Sequence, residues 1–265
     1  MDARVVVLLV FAWSITGCAV WRVPNVPTIA LVAPFEGQFR EIGYEALYAV
    51  RLAISDNNPQ VRLLAVDDGG TTEFASARMT ALRNNPAVRG VIALGTHASS
   101  RQAQAELGDL PMIIAGYWDS EVATETAVML ASSGLSTDTL SYAEITASNT
   151  QDDVIGSAIF GLSVMPALTN TEQLIIFSSG QLPSGTFRER YLASDMFVPE
   201  PRHLATLTYD ATGILLTAIR DDVPLSAVTY AGLSGDITFR DGYWDAAPVY
   251  AYLFDDDGNL VLRDD

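Results

Sequence analysis

The chain has 265 residues, 49% of them apolar, and a formal net charge of −17 from 15 basic and 32 acidic residues. Every basic residue is an arginine, which excludes Schiff-base lysines and phosphate-loop lysines. A single cysteine excludes an intramolecular disulfide or a cysteine zinc cluster, two histidines far apart speak against a histidine metal site, and the acidity repels nucleic-acid phosphates.

Residues 5–13 (VVVLLVFAW) form an apolar run preceded by Arg4. It is shorter than the roughly 20 residues that span a bilayer and has the form of the hydrophobic region of a secretory signal. Residues 15–18 (ITGC) resemble the bacterial lipobox, whose cysteine is acylated and becomes the mature N-terminus. Cys18 is therefore the expected lipid attachment point, with 1–17 the signal peptide and 18–27, which carries two prolines, a short tether.

The body alternates strand and helix. Residues 28–35 (TIALVAPF) read as a buried parallel strand. Phe39, Ile42, Ala46, Ala49, Val50 and Ala53 recur at helical spacing and stop at Asn57-Asn58-Pro59. Strands follow at 61–66, 88–94 and 111–115, with helices at 72–82 and from the Ser99-Ser100 cap to about Leu107. Crossovers of this length hold helices, so the fold class is α/β with a doubly wound parallel sheet.

Further strands are expected at 127–131, 154–160 and 173–177, and a helix at 136–147. Thr186-x-x-Glu189 has the form of a capping box opening a helix to about Ala193, and 204–219 reads as a long helix despite Gly213. The tail turns to β at 236–240, 249–254 and 259–263. Asp255-Asp256-Asp257-Gly258-Asn259 has the look of a calcium loop but lacks the later glutamate, so a hairpin turn is the preferred reading.

Three groups of residues resemble one family, the type I periplasmic binding proteins of branched-chain amino acid transport. They are 29–34 with Gly43-Tyr44-Glu45-Ala46 and 51–58; then 88–95, Ser99-Ser100 and 111–115; then Phe187 to Tyr191, Tyr209-Asp210-Ala211 and 232–242 (GLSGDITFRDG). The resemblance implies a first α/β lobe at 28–120 and return helices at 181–225 that pack on it. Only 116–126 separates the fourth strand from the next, so a reduced second lobe is expected at 121–180, with a C-terminal β segment at 226–265.

Ligands of open parallel sheets sit outside the C-terminal strand ends. Ser99 and Ser100 fall there and, by resemblance, hold an amino acid carboxylate; the alternative is that one of them is only the helix cap. Tyr117 and Trp118 follow the fourth strand, either as the wall of an apolar pocket, as a cation–π partner, or as cover for the sheet edge. Glu36 and Gln38 lie in the loop after the first strand, as cleft-mouth or solvated residues. No nucleophile elbow or dinucleotide fingerprint occurs, so neither catalysis nor a cofactor or metal is expected. The expected function is that of an extracytoplasmic, lipid-anchored binding protein delivering a small amino acid or amide to an ABC permease. The alternative is a reduced module acting as an envelope sensor or interaction domain.

Overall fold

The computed structural model describes residues 26–57, 60–135, 154–156, 174–255 and 258–263; Cys18 and the helix expected at 136–147 lie outside them. Strands β1 (Thr28–Ala33), β2 (Arg62–Asp67), β3 (Val88–Ala93), β4 (Met112–Ala115) and β5 (Ala127–Leu130) pair in parallel in the spatial order β5-β4-β3-β1-β2. All six residues of β1 are buried, as the central position demands, whereas β2 is half-exposed because it forms the sheet edge.

Between these strands run α1 (Arg40–Asn57), α2 (Thr72–Arg83) and α3 (Arg101–Leu107). Beyond β6 (Val154–Gly156) and β7 (Leu174–Ser178), the chain forms α4 (Gly185–Leu192) and α5 (His203–Asp221). α2 packs on α3, and α1 packs on α5. α5 buries Leu204, Leu207, Ala211, Ile214 and Leu215 together with Thr208, Asp210 and Thr212, so it is buried nearly all round. α4 begins one residue before the expected capping box. Its cap is Ser184, whose hydroxyl accepts the Phe187 N–H at 3.3 Å, and Thr186 lies inside the first turn.

The C-terminal third adds β8 (Tyr230–Gly232), β9 (Gly235–Ile237), β10 (Phe239–Arg240), β11 (Tyr243–Trp244), β12 (Tyr250–Phe254) and β13 (Leu260–Leu262). The single strand expected at 236–240 is thus two short ones: β9 pairs with β8, and β10 pairs with β11. β10 and β11 are joined by Asp241-Gly242, both at positive φ (54° and 83°), the two-residue hairpin geometry that Asp-Gly favours. β11 runs parallel beside β5, which completes a seven-stranded sheet in the order β10-β11-β5-β4-β3-β1-β2. A second sheet has the order β13-β12-β7-β6. Asp255 and Asn259 flank the two strands β12 and β13, which pair antiparallel. There the Asp255 carboxylate accepts the Asn259 N–H at 2.7 Å and its Nδ2 at 3.1 Å, consistent with a hairpin.

Two expected boundaries are corrected. β5, placed at the start of a second lobe at 121–180, belongs to the first sheet, because its four residues pair in register with β4. The segment 226–265 is divided, β10–β11 closing the first sheet and β12–β13 extending the second.

Candidate functional site

The strand order reverses between β1 and β3: the chain leaves β1 for β2 on one side and continues through β3, β4 and β5 on the other. Such a switch point opens a crevice outside the C-terminal strand ends. Two clefts lie along this crest and share Thr96, in the loop after β3.

The first cleft, about 490 Å³, is bounded by the loops that follow β3, β4 and β5. Ser100, Tyr117, Ser120, Ser132, Ser133 and Tyr243 are the hydroxyl-bearing serines and tyrosines of its lining, and Leu135 is the aliphatic residue of its described wall. Arg101 and Glu121 form an exposed ion pair at 2.7 Å on its rim, near Asp119. The Ser132 amide donates to Ser179 Oγ at 3.0 Å, so the wall stands where the first sheet meets the strand-end loop of the second. Burial raises the Tyr117 phenol above its ordinary pKa, and the charge of Asp119 adds to the shift, so the group remains a neutral donor.

The second cleft, about 580 Å³, lies between the loops after β1, β2 and β3, with Glu36, Gln38, Asp67, Asp68 and His97 in its wall. Asp67 ties two of these loops together, accepting the Phe35 N–H at 2.8 Å and the Gly69 N–H at 2.9 Å. Burial raises the Asp68 pKa against the opposing Gly70 N–H and His97. His97 Nδ1 stands 3.3 Å from Thr72 Oγ1.

The expected site residues therefore divide. Ser100 and Tyr117 meet in the first cleft, and Glu36 and Gln38 line the second. Ser99 and Trp118 reach neither, both being 0% exposed. Ser99 Oγ donates to Gly95 O and accepts from Ser120 Oγ, each at 2.9 Å, so it braces the loop from beneath. Ser100 is the cap of α3, its hydroxyl accepting the Ala103 N–H at 3.2 Å while donating to His97 O. Trp118 is core: its indole N–H donates to Ala115 O at 2.9 Å, so of the places expected for it the pocket wall is not the one it takes.

Sequence reasoning missed Ser120, Ser132, Ser133 and Tyr243. The serines were findable, since they follow a strand end like the others. Tyr243 carried no local signal. It arrives through the two-residue strand β11, held by its phenol oxygen, which accepts the Val122 N–H at 3.1 Å. Among the described residues no group of three or more His, Cys, Asp or Glu is placed to hold a metal ion. No helix among them is long and apolar enough to cross a membrane.

No family model and no curated protein matches the sequence. Solved structures do. A leucine binding protein from Thermotoga maritima superposes with a TM-score of 0.69 at 14% identity, over 90% of this chain and 98% of that one. A branched-chain amino acid transporter substrate binding protein from Streptococcus pneumoniae, in complex with isoleucine, gives 0.63 at 14% identity over 90% of this chain and 100% of that one. An extracellular ligand binding receptor from Desulfohalobium retbaense gives 0.66 at 15% identity over 89% of this chain, which spans only 59% of that receptor. The fold is that of the type I periplasmic binding proteins. Among the solved structures of this fold that it resembles, leucine and branched-chain amino acid binding proteins recur.

Proposed function

We propose that the protein is an extracytoplasmic solute-binding protein, anchored by lipid at Cys18, that captures a small solute and delivers it to an ABC permease. One observation carries this reading: the concave, hydroxyl-lined cleft at the ends of β3, β4 and β5, bordering the second sheet. Its volume of about 490 Å³ suits a ligand of amino-acid size. The structural neighbours add support, being substrate-binding proteins of transporters by their own descriptions. The amino acid or amide that the resemblance implied serves as the reference ligand. The ligand groups lie on Ser100, Tyr117 and the serines after β5, while Glu36 and Gln38 face the neighbouring cleft.

The test is thermal unfolding of the full-length protein against a panel of amino acids, amides, sugars and polyols at millimolar concentration. A solute that binds only the folded state at 100 times its Kd adds about 2.7 kcal/mol of stability. A rise in melting temperature with at least one solute is the expected result; none with any would end the solute-binding reading.

A further inference from the structure

We infer that the solute held in the first cleft is a neutral polyhydroxylated molecule, a sugar or a polyol, and not a branched aliphatic amino acid; the inference rests on the solute-binding reading above. Small-molecule pockets are ordinarily apolar with a few polar anchors. This wall is about evenly polar and apolar, with Ser100, Ser120, Ser132, Ser133, Tyr117 and Tyr243 as hydroxyl-bearing residues and Leu135 as the one aliphatic side chain among the described lining residues. A leucine-like side chain recovers about 1.5–3 kcal/mol only where apolar surface covers it, and among the described lining residues Leu135 alone is aliphatic.

A hydroxyl offers one donor and two acceptor positions. Ser120 Oγ spends its proton on Ser99 Oγ, and Ser132 Oγ accepts the Gly134 N–H at 3.3 Å, so each keeps capacity toward the cleft. Groups that donate and accept at once are matched best by other hydroxyls. The half-buried rings of Tyr117 and Tyr243 supply what serines lack, apolar faces for the C–H faces of a carbon ring, with a polar tip beside them.

Charge separates this ligand from an amino acid. A carboxylate is held by cations, open amides or hydroxyl donors, and the Ser100 and Ser120 hydroxyls already donate to His97 O and Ser99 Oγ. Among the described lining residues the one cation, Arg101, pairs with Glu121, and with Asp119 the acids outnumber it. Two amides of the loop before α3 are also spent: Ser99 N–H donates to Gly95 O at 3.0 Å and Ser100 N–H to His97 O at 3.4 Å. A ligand without charge meets none of these obstacles.

The experiment compares ribose, glucose and myo-inositol with leucine, isoleucine and valine, each added to the full-length protein, by thermal unfolding and then titration calorimetry. Stabilisation by at least one of the polyhydroxylated probes and by none of the three amino acids is expected. Tyr117→Ala should then weaken that probe about tenfold, with Tyr117→Phe, which keeps the ring, losing less. Tyr117 is half-buried, and an unchanged melting temperature without ligand confirms that either variant folds. Stabilisation by an amino acid and by no polyhydroxylated probe overturns the inference while leaving the solute-binding reading in place. Affinity for the probe unchanged in Tyr117→Ala overturns the assigned wall. No stabilisation by any probe overturns the inference, and the wider panel then decides the solute-binding reading.

Discussion

The Glu45 carboxylate of α1 accepts the Ala205 N–H of α5 at 2.7 Å, across 160 positions of sequence, and the same oxygen accepts the Arg202 N–H at 2.9 Å. An acid on one helix thereby satisfies amides at the start of another. Burial pushes the Glu45 pKa up to about 7, against the opposing pull of those two N–H groups and of the Arg202 charge.

That shift sets a pH dependence. The folded state holds the Glu45 proton up to about pH 7, while the unfolded chain releases it near the ordinary glutamate value of 4.5. Between those limits the native state binds more protons, so stability falls as pH rises, by about 1 kcal/mol per pH unit for this group. Glu45→Gln removes the slope. Both hydrogen bonds fall on a single oxygen, which an amide oxygen replaces, so the variant should match or exceed the parent at pH 7.5. Urea unfolding of both proteins from pH 4.5 to 7.5 checks it; equal slopes would refute the assignment.

Asp210 is also raised to about 7 by burial, but its amide variant should behave oppositely. Its Oδ1 accepts the Leu233 N–H at 2.8 Å and its Oδ2 the Ser234 N–H at 3.2 Å, so both oxygens are used to hold the β8–β9 turn. Asn offers one acceptor and sets an NH₂ against an N–H. Asp210→Asn should cost about 1–3 kcal/mol at pH 7 in the same urea assay.

Ser99 and Ser100 are separable. Ser100→Ala removes the α3 cap, at a cost of about 1 kcal/mol, and also takes a hydroxyl from the cleft, so stability and ligand affinity should both fall. Ser99→Ala should lower stability alone, because its hydroxyl is spent on Gly95 O and Ser120 Oγ beneath the wall. Calorimetry with whichever solute stabilises the parent decides between them. Equal affinity losses would place Ser99 back among the ligand groups.

Cys18→Ser tests the anchor. Acyl chains hold a protein to a bilayer with about 0.8 kcal/mol per buried methylene, so a serine there should move the protein from the membrane fraction to the soluble one. Its melting temperature should stay unchanged. Retention in the membrane fraction would remove lipidation at Cys18 as the means of attachment.

The first sheet was legible because each strand is a short apolar run closed by a turn, the pattern that burial on both faces imposes on β1, β3 and β4. The site was legible only in part. Tyr117 and Trp118 are neighbours in the loop after β4, yet one lines the cleft and the other fills the core, a division that sequence adjacency does not reveal. The motifs behind the family resemblance turn out to be packing groups. Tyr191 Oη donates to Glu45 O at 2.9 Å, Phe187 meets Tyr209 edge-on at 5.3 Å, and Asp210 holds the Leu233-Ser234 turn. They mark how α1, α4, α5 and the β8–β9 hairpin fit together, which is why they identified the fold while leaving the ligand open.

Gly213 shows the same point in one residue. A glycine inside a helix costs about 1 kcal/mol relative to alanine, so Gly213→Ala would stabilise an isolated α5. In the folded protein a Cβ there would lie 2.1 Å from Tyr230 Oη and 2.4 Å from its ring carbon Cζ. The helix must therefore lack a side chain where β8 crosses it. Gly213→Ala should destabilise the protein by about 1–3 kcal/mol through overpacking. Pairing it with Tyr230→Ala removes the obstructing ring. The double variant should then be more stable than the sum of the two single losses predicts, by an interaction of at least about 1 kcal/mol. Strict additivity in urea unfolding would show that Tyr230 is not what excludes a side chain at 213.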